Sequence, residues 1–520
     1  MDWIAKNDTI IFDAEFNAKL DFKLISGFTK LIFSDYELNE KIFESYANSD
    51  FKNLIHKRSK FNRDISKVIP NQSYLTLAYW LNINVSYLPS TLTLINFGFN
   101  FNRDVSVLPH SLTHLIFGFL FNQDVSELPH NLTHLTLSLN FNQDISKLPQ
   151  NLTHLTFGCF NQNKYHDSNT IILYLNQQFN KDIFTPSLEE QVTLSISIGC
   201  IFNQDVSVLP QTLTHLTFCE NFNKKVSNLP HSLTYLIFGN KFNQDVSNLP
   251  SGLTYLFFGN CFNQDVSKLP SGLICLFFGN CFNQDVSALP NLITHLKFGS
   301  EFNQDVSNLP NLITHLMFGS NFNRDVYKLP PNLTHLTFGH RFNKDISELP
   351  YSITHLTFGS KFNYNVYVLP PFLTHLTFGS RFNQDISILP PSLTHLTLGY
   401  YFDKQNNISS NIKYLNLDCN NQYIIDSLPN SIIELKLNNY FNLRMDNLPT
   451  SIKKIVIHKY SDYNEDLNCL PDFIEELELN RKYKKRILNV PSKLKKITCG
   501  KDYPYINDFL TQGIEVLTHS

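Results

Sequence analysis

The sequence predicts a β-rich repeat solenoid, with one parallel sheet of short strands and with return segments that are extended or contain a short turn. Three observations support this prediction. A unit that opens with Phe-Asn recurs roughly every 20 residues from Phe101. Each unit contains an alternating Leu-x-x-Leu-x-Phe segment, and each unit closes its return with Leu-Pro. A period this regular is typical of a solenoid and not of a conventional compact fold.

The strand is predicted within the Leu-x-x-Leu-x-Phe segment. In the unit that contains Leu336 and Phe338, these two side chains alternate inward with the period of a strand. His335 and Thr337 face the opposite way. The apolar stripe of one unit has nothing to pack against until a second unit stacks on it, so we expect continuous hydrophobic columns shared by neighbouring units.

The return segment is predicted to lack a full helix. Leu349-Pro350 closes one such segment, and proline fixes φ and removes a backbone donor. About 20 residues cannot accommodate a strand, two turns and a helix of several turns. We therefore expect an extended chain or a single short turn between strands.

Two polar residues of the repeat have predicted structural roles. The Asn of each Phe-Asn pair stands beside a core Phe, and a buried polar group needs a partner. We expect these Asn side chains to form a ladder that hydrogen-bonds the turn backbone of the next coil. The Asp of the same turn, such as Asp305, is expected to accept hydrogen bonds from its own backbone.

Three zones are predicted within one continuous solenoid domain. Residues 1–60 form degenerate N-terminal repeats and a cap, residues 61–400 form regular repeats with irregular coils at 161–200, and residues 401–520 form degenerate C-terminal repeats and a cap. The end zones keep the strand pattern and carry more charge. A terminal coil requires such charge because one of its faces has no neighbour.

Composition argues against binding by bulk charge and against a secreted or membrane-inserted protein. Lys and Arg number 42 against 45 Asp and Glu, so no global field attracts nucleic acid or an acidic membrane. No signal peptide or membrane-spanning run is apparent. Nine scattered cysteines without a Cys-x-x-Cys pair favour reduced thiols. We expect a cytoplasmic protein, in the host cytoplasm if the chain is viral, that is a monomer and binds neither nucleic acid nor membrane.

The repeats resemble the FNIP repeat, a relative of the leucine-rich repeat that is abundant in social amoebae and in giant amoeba viruses such as mimivirus. The resemblance covers nearly the whole chain, although an Asp such as Asp205 stands where the family commonly has proline. It implies a leucine-rich-repeat-like fold and protein binding. Some relatives carry an F-box and look like substrate receptors of ubiquitin ligases, but repeats begin here by about Phe16 and leave no room for an F-box.

A histidine column is the most regular candidate for chemistry. Histidine recurs at one outward position, at residues His114, His134, His154, His215, His295, His315, His335, His355, His375 and His395. Zinc requires ligands that converge tetrahedrally, whereas a straight column does not converge, and no Cys, Asp or Glu recurs beside it. No phosphate-binding loop or nucleophile motif occurs either. We expect no cofactor, no metal, no catalytic residue and no enzymatic activity.

Two sets of residues are candidates for binding protein. One is an exposed apolar patch that interrupts the histidine column, made of Tyr235, Ile237, Tyr255, Phe257, Cys275, Phe277 and Met317. The other is a candidate basic edge of Arg341, Lys361 and Arg381, which could bind an acidic partner. The alternative interpretation is that these cations only keep the sheet edge soluble. The predicted function is a non-catalytic protein-interaction scaffold. Substrate recognition for ubiquitin ligation and a structural role in a virion stand as alternatives.

Overall fold

The chain divides into two compact units, Met1–Phe282 and Asn283–Ser520. A computed structural model describes residues 3–17, 25–34, 72–77, 79–158 and 201–519. The predicted repeat at Phe61 and the irregular coils predicted at 161–200 lie outside the described residues. The division between units falls inside the regular zone, and the three predicted zones stay a prediction.

The first unit is a β-solenoid in which each described coil contributes one short strand. Its strands are β1 Trp3–Lys6, β2 Thr9–Phe12, β3 Lys30–Phe33, β4 Tyr74–Thr76, β5 Leu94–Asn96, β6 His114–Ile116, β7 His134–Leu137, β8 His154–Phe157, β9 His215–Thr217, β10 Tyr235–Ile237, β11 Tyr255–Phe257 and β12 Cys275–Phe277. β1 and β2 form an antiparallel hairpin, and each later strand pairs in parallel with the next. β8 pairs directly with β9, with His154 opposite His215.

The second unit repeats the same parallel arrangement. Its strands are β13 His295–Lys297, β14 His315–Met317, β15 His335–Thr337, β16 His355–Thr357, β17 His375–Thr377, β18 His395–Leu398, β19 Tyr414–Leu417, β20 Glu434–Leu437, β21 Lys454–Ile457, β22 Glu476–Glu478, β23 Lys496–Cys499 and β24 Glu515–Thr518. Each pairs in parallel with the next. The degenerate C-terminal zone keeps the strand pattern, as β19 to β23 show.

The hydrophobic columns are confirmed. Leu336 and Phe338 are buried, and Phe342 is fully buried. The ring of Phe342 stacks on Phe338 of the preceding strand at 3.7 Å between centroids. It also lies 6.2 Å from Phe322 and 6.1 Å from Phe362 in the neighbouring coils. Each coil therefore completes the core of the coils beside it.

The asparagine ladder is confirmed in the described coils. The Oδ1 atom of Asn343 accepts the backbone N–H of Asn363 at 2.9 Å, and the N–H of Asn343 donates to Oδ1 of Asn323 at 2.9 Å. The predicted aspartate turn is also present. Asp305 accepts from the backbone N–H of Ser307 at 3.0 Å and from its hydroxyl at 2.8 Å. The asparagine bonds link successive coils in register, and the aspartate bonds close the turn within each coil.

The return segments are extended, as predicted. In the regular coils the described returns contain turns and bends, with one 3₁₀ helix at Val85–Tyr87. Two short α-helices lie in the degenerate zone, α1 at Gln422–Asp426 and α2 at Asn507–Leu510. Asn421 caps α1 by accepting the N–H of Ile424 at 3.4 Å.

The cysteines depart from the prediction at one position. The described thiols that are free are Cys261, Cys275, Cys281, Cys419, Cys469 and Cys499. Cys219 is disulfide-bonded, so the prediction of reduced cysteines is wrong there. The sequence has nine scattered cysteines, and their spacing does not show which of them pairs with Cys219.

Glycine at the strand exit is required by close backbone approach. A Cβ atom on Gly279 would collide with the carbonyl group of Gly259 in the preceding coil. We expect Gly279→Ala to lower the free energy of unfolding by about 1–3 kcal/mol, the usual cost of overpacking. Gly272 is the matched control, because a Cβ atom there would meet nothing closer than 3.4 Å. Chemical denaturation of both variants checks this, and equal losses would contradict it.

Candidate protein-interaction surface

A column of stacked imidazoles runs along the outward face of the strands in each unit. In the first unit the rings of His114, His134 and His154 follow one another at 4.0 Å between centroids. In the second unit the column extends from His295 to His395, with spacings between 3.8 and 4.4 Å. The rings are closer than the strands that carry them, which lie about 4.8 Å apart. Parallel strands in register produce this stacking.

Threonine hydroxyls fix the orientation of these rings. The Oγ1 atom of Thr334 lies 2.9 Å from Nδ1 of His335. The same hydroxyl lies 3.0 Å from the carbonyl oxygen of Thr314 in the preceding coil. Because Nδ1 is engaged in this hydrogen bond, it is not available as a metal ligand. In the described part of the chain, no three His, Cys, Asp or Glu side chains are grouped so that they could hold a metal ion.

His154 and His315 are neutral at physiological pH. Burial, followed by repulsion from the neighbouring rings of the column, lowers the pKa of His154 to about 3. The same two causes lower the pKa of His315 to about 3. Adjacent imidazolium ions would repel one another at this spacing. The strand face is consequently a polar stripe made mainly of His and Thr, in which Lys297 is a charged exception.

Six of the seven residues of the predicted apolar patch form one cluster, which we call the aromatic cluster. It consists of Tyr235, Phe257 and Cys275, with Ile237, Tyr255 and Phe277 packed against them. Tyr235 lies 5.5 Å from Phe257 and 5.9 Å from Tyr255 between ring centroids. Phe257 meets Phe277 edge to face at 4.9 Å. The cluster thus replaces the His-Thr stripe on three successive strands.

The aromatic cluster is less exposed than expected from the sequence. Tyr235, Phe257 and Cys275 are only 2%, 8% and 4% exposed. Large side chains on adjacent strands cover one another, because an aromatic ring reaches its diagonal neighbour across the sheet. Burial also raises the pKa of the Cys275 thiol, which is therefore not a reactive nucleophile. Ile237, Tyr255 and Phe277 remain half-buried and present the accessible part of the cluster.

The remaining predicted residues lie in the second unit. Met317 is half-buried on β14, between Lys297 and Thr337 of the adjacent strands, and is not a member of the aromatic cluster. The basic edge occupies one position in three successive coils. The backbone N–H groups of Arg341, Lys361 and Arg381 each donate to a carbonyl of the preceding coil at 2.8–2.9 Å. Arg341 and Arg381 are exposed and Lys361 is half-buried.

Comparison with known families agrees with the repeat pattern. The FNIP repeat profile matches residues 82–119, 121–160, 202–241, 222–261, 282–321, 325–361, 365–401, 404–440 and 420–460, which together exceed half of the chain. The chain belongs to the FNIP repeat family. In its FNIP repeats, the aspartate that stands at the family's proline position closes the turn by hydrogen bonds. Asp245, for example, accepts from the N–H of Ser247 at 2.9 Å and from its hydroxyl at 2.8 Å.

The solved structure of CroV588 supports the leucine-rich-repeat-like fold. The structure of CroV588, a circular leucine-rich-repeat protein from a giant virus, is 34% identical with a TM-score of 0.71, and the match covers 97% of this chain and 77% of that one. InlJ from Listeria monocytogenes is 17% identical with a TM-score of 0.39, over 69% of this chain and 70% of that one. YopM from Yersinia enterocolitica is 17% identical with a TM-score of 0.37, over 86% of each chain. No curated protein matches the chain.

The FNIP family and its fold are typical of protein-interaction scaffolds rather than of enzymes. None of the helices in the described ranges has the length and hydrophobicity of a membrane span.

The second unit has a further exposed apolar surface that was not predicted from the sequence. It lies on the return segments rather than on the strands, and comprises Tyr351, Tyr367, Val368, Phe372 and Ile388. Departure from the repeat was again the available signal, because the preceding repeat carries Ser at the positions of Tyr367 and Phe372 and Glu at that of Val368, whereas Pro stands at the position of Tyr351 in both neighbouring repeats.

Proposed function

We propose that this FNIP-repeat protein is a non-catalytic scaffold that binds a protein partner on the strand face of its first unit, at the aromatic cluster. The aromatic cluster is the observation that carries the proposal. Tyr and Phe are enriched in the cores of protein interfaces, where they contribute large apolar area. On this chain they interrupt a polar stripe made mainly of His and Thr.

The packing of the cluster favours binding at low entropic cost. Tyr235 and Phe257 are held by their neighbours, so Ile237, Tyr255 and Phe277 are supported from beneath. Side chains that are already ordered lose little rotamer freedom when a partner covers them. The half-buried edges of these three residues are therefore the contact area that the proposal assigns.

Reversion to the common repeat is the sharpest test. Other strands carry His where Tyr255 stands and Thr where Ile237 and Phe277 stand. The combined Ile237→Thr, Tyr255→His and Phe277→Thr variant removes the accessible apolar area and leaves the buried members in place. Substitution of Phe257 would disturb the packing of the cluster, because that ring is buried.

We expect this reverted variant to bind the partner about tenfold or more weakly, since truncation of a few central apolar residues accounts for most interface energy. Partners are first identified by proximity labelling with the unaltered chain, and their affinities for both forms are then measured by titration. Met317→Thr is the control, because it makes the same kind of reversion outside the aromatic cluster. A partner that binds the reverted and unaltered chains equally would refute this site.

A further inference from the structure

The second unit carries an apolar surface on its return segments, which we call the return patch. Its members are Tyr351, Tyr367, Val368, Phe372 and Ile388, with exposures of 71%, 56%, 54%, 65% and 65%. Single exposed apolar residues are common on protein surfaces. Five large apolar side chains are exposed here in three successive coils. Contiguous apolar patches of this kind mark interaction sites.

Coil stacking places the members of the return patch beside one another. β16, β17 and β18 pair in register with a shift of 20 residues, so Val368 and Ile388 occupy the same position in adjacent coils. The Ser392 hydroxyl donates to the carbonyl of Pro371 at 2.8 Å, which holds the turn before β18 against the one before β17. Phe372 follows Pro371 in that turn, and Tyr351 stands at the position of Pro371 one coil earlier.

The centre of the return patch has no formal charge. Residues 362–380 contain no Asp, Glu, Lys or Arg, although the equivalent turn of the preceding coil carries Asp345 and Glu348. Asn365 and Val368 replace these two carboxylates. Charged residues are depleted in the same way at the centres of protein interfaces.

The rim of the return patch carries charges of both signs. Between residues 341 and 361 and between 381 and 400 there are four cations, Arg341, Lys344, Lys361 and Arg381, and three carboxylates, Asp345, Glu348 and Asp385. Lys344 lies 3.7 Å from Asp325 of the preceding coil. A surface that selects its partner by charge carries rim charges of a single sign. A mixed rim suits a second copy, because a two-fold axis can place opposite charges of the two copies opposite each other.

We propose that the return patch joins two copies of this chain in a two-fold symmetric dimer, rather than the monomer expected from the sequence. The return patch has five large side chains that are each more than half exposed, and the largest apolar patch of a monomeric protein usually measures roughly 300–600 Å². The return patch forms the apolar centre of a contact whose rim adds the rest of the roughly 800 Å² that each partner buries in a standard interface. This inference is independent of the aromatic cluster, which lies in the first unit.

Analytical ultracentrifugation of the full chain tests the dimer. From about 1 to about 100 μM, in the range typical of modest interfaces, we expect the mass to rise from 60.2 kDa toward twice that value. Val368→Lys places a charge at the centre of the return patch and is expected to weaken dimerisation at least about tenfold.

Val208→Lys is the matched control. Val208 is 45% exposed at the equivalent position of a first-unit coil, where the neighbouring coils carry Lys147 and Asn228. This variant is expected to dimerise like the unaltered chain, and thermal melts verify that both variants fold. A mass of 60.2 kDa at every concentration, or equal dimerisation of the Val368→Lys variant and the unaltered chain, would overturn the proposal and leave the patch to a different partner.

Discussion

Replacement of Phe342 with alanine is expected to lower the free energy of unfolding by about 3–5 kcal/mol, the usual cost of deleting a buried aromatic ring. Phe342 is fully buried and contacts rings of its own and adjacent coils, with Phe338 at 3.7 Å. In a solenoid each coil is stabilised by the interfaces with its neighbours. The lost ring therefore weakens two interfaces as well as one coil.

Chemical denaturation followed by circular dichroism measures this loss. Phe473→Ala is the matched control, because Phe473 belongs to the same unit but is exposed and lies outside the return patch. Its substitution should change the free energy of unfolding by less than about 0.5 kcal/mol. If the two variants proved equally stable, the phenylalanine column would not be the source of cohesion between coils.

The repeat pattern predicted the direction of side chains well. Leu336 and Phe338 point inward as expected, because the period of a strand fixes which side chains share a face. The ladder of Asn343 also followed from the sequence, since a polar group repeated beside a core residue must find a partner in the next coil. Both inferences depend only on neighbours at a fixed distance along the chain.

The burial of the aromatic cluster could not be predicted in this way. Alternation assigns Tyr235 to the outward face, but how much water reaches it depends on the size of Phe257 one strand away. A single His at the same position stays half-exposed, because its imidazole neighbours stack face to face and cover less of it. The return patch was overlooked for a related reason. Its return segments have no strand period, so the sequence does not assign their side chains to a face.

Acid is expected to destabilise the protein within a pH range set by the histidine column. Histidine has an ordinary pKa of 6.5, whereas burial and neighbouring rings lower the pKa of His315 to about 3 in the folded chain. Below pH 6.5 the unfolded chain therefore binds more protons than the folded chain. The stability contributed by the column is complete above pH 6.5 and is lost as the pH falls from there toward 3.

Between pH 7.5 and pH 5.5 we expect the free energy of unfolding to fall by roughly 1–2 kcal/mol, after allowance for solvent around the partly exposed rings. The turn aspartates do not contribute in this range. The pKa of Asp305 starts from 3.8 and is lowered further by hydrogen bonds from Ser307. Urea denaturation at the two pH values measures the change, and identical curves would exclude the effect.

Substitution within the column distinguishes its titration from that of other groups. Tyrosine fits the column position, because Tyr414 stacks on His395 at 4.2 Å. Replacing His315, His335 and His355 with tyrosine removes adjacent titrating rings while preserving a stack. We expect this variant to lose much of the pH dependence, and His340→Asn, at an exposed histidine outside the column, to retain it. The prediction depends on protonation of the stacked imidazoles. If the free energy of unfolding of the triple variant were as sensitive to pH as that of the unaltered chain, acid would act on other groups.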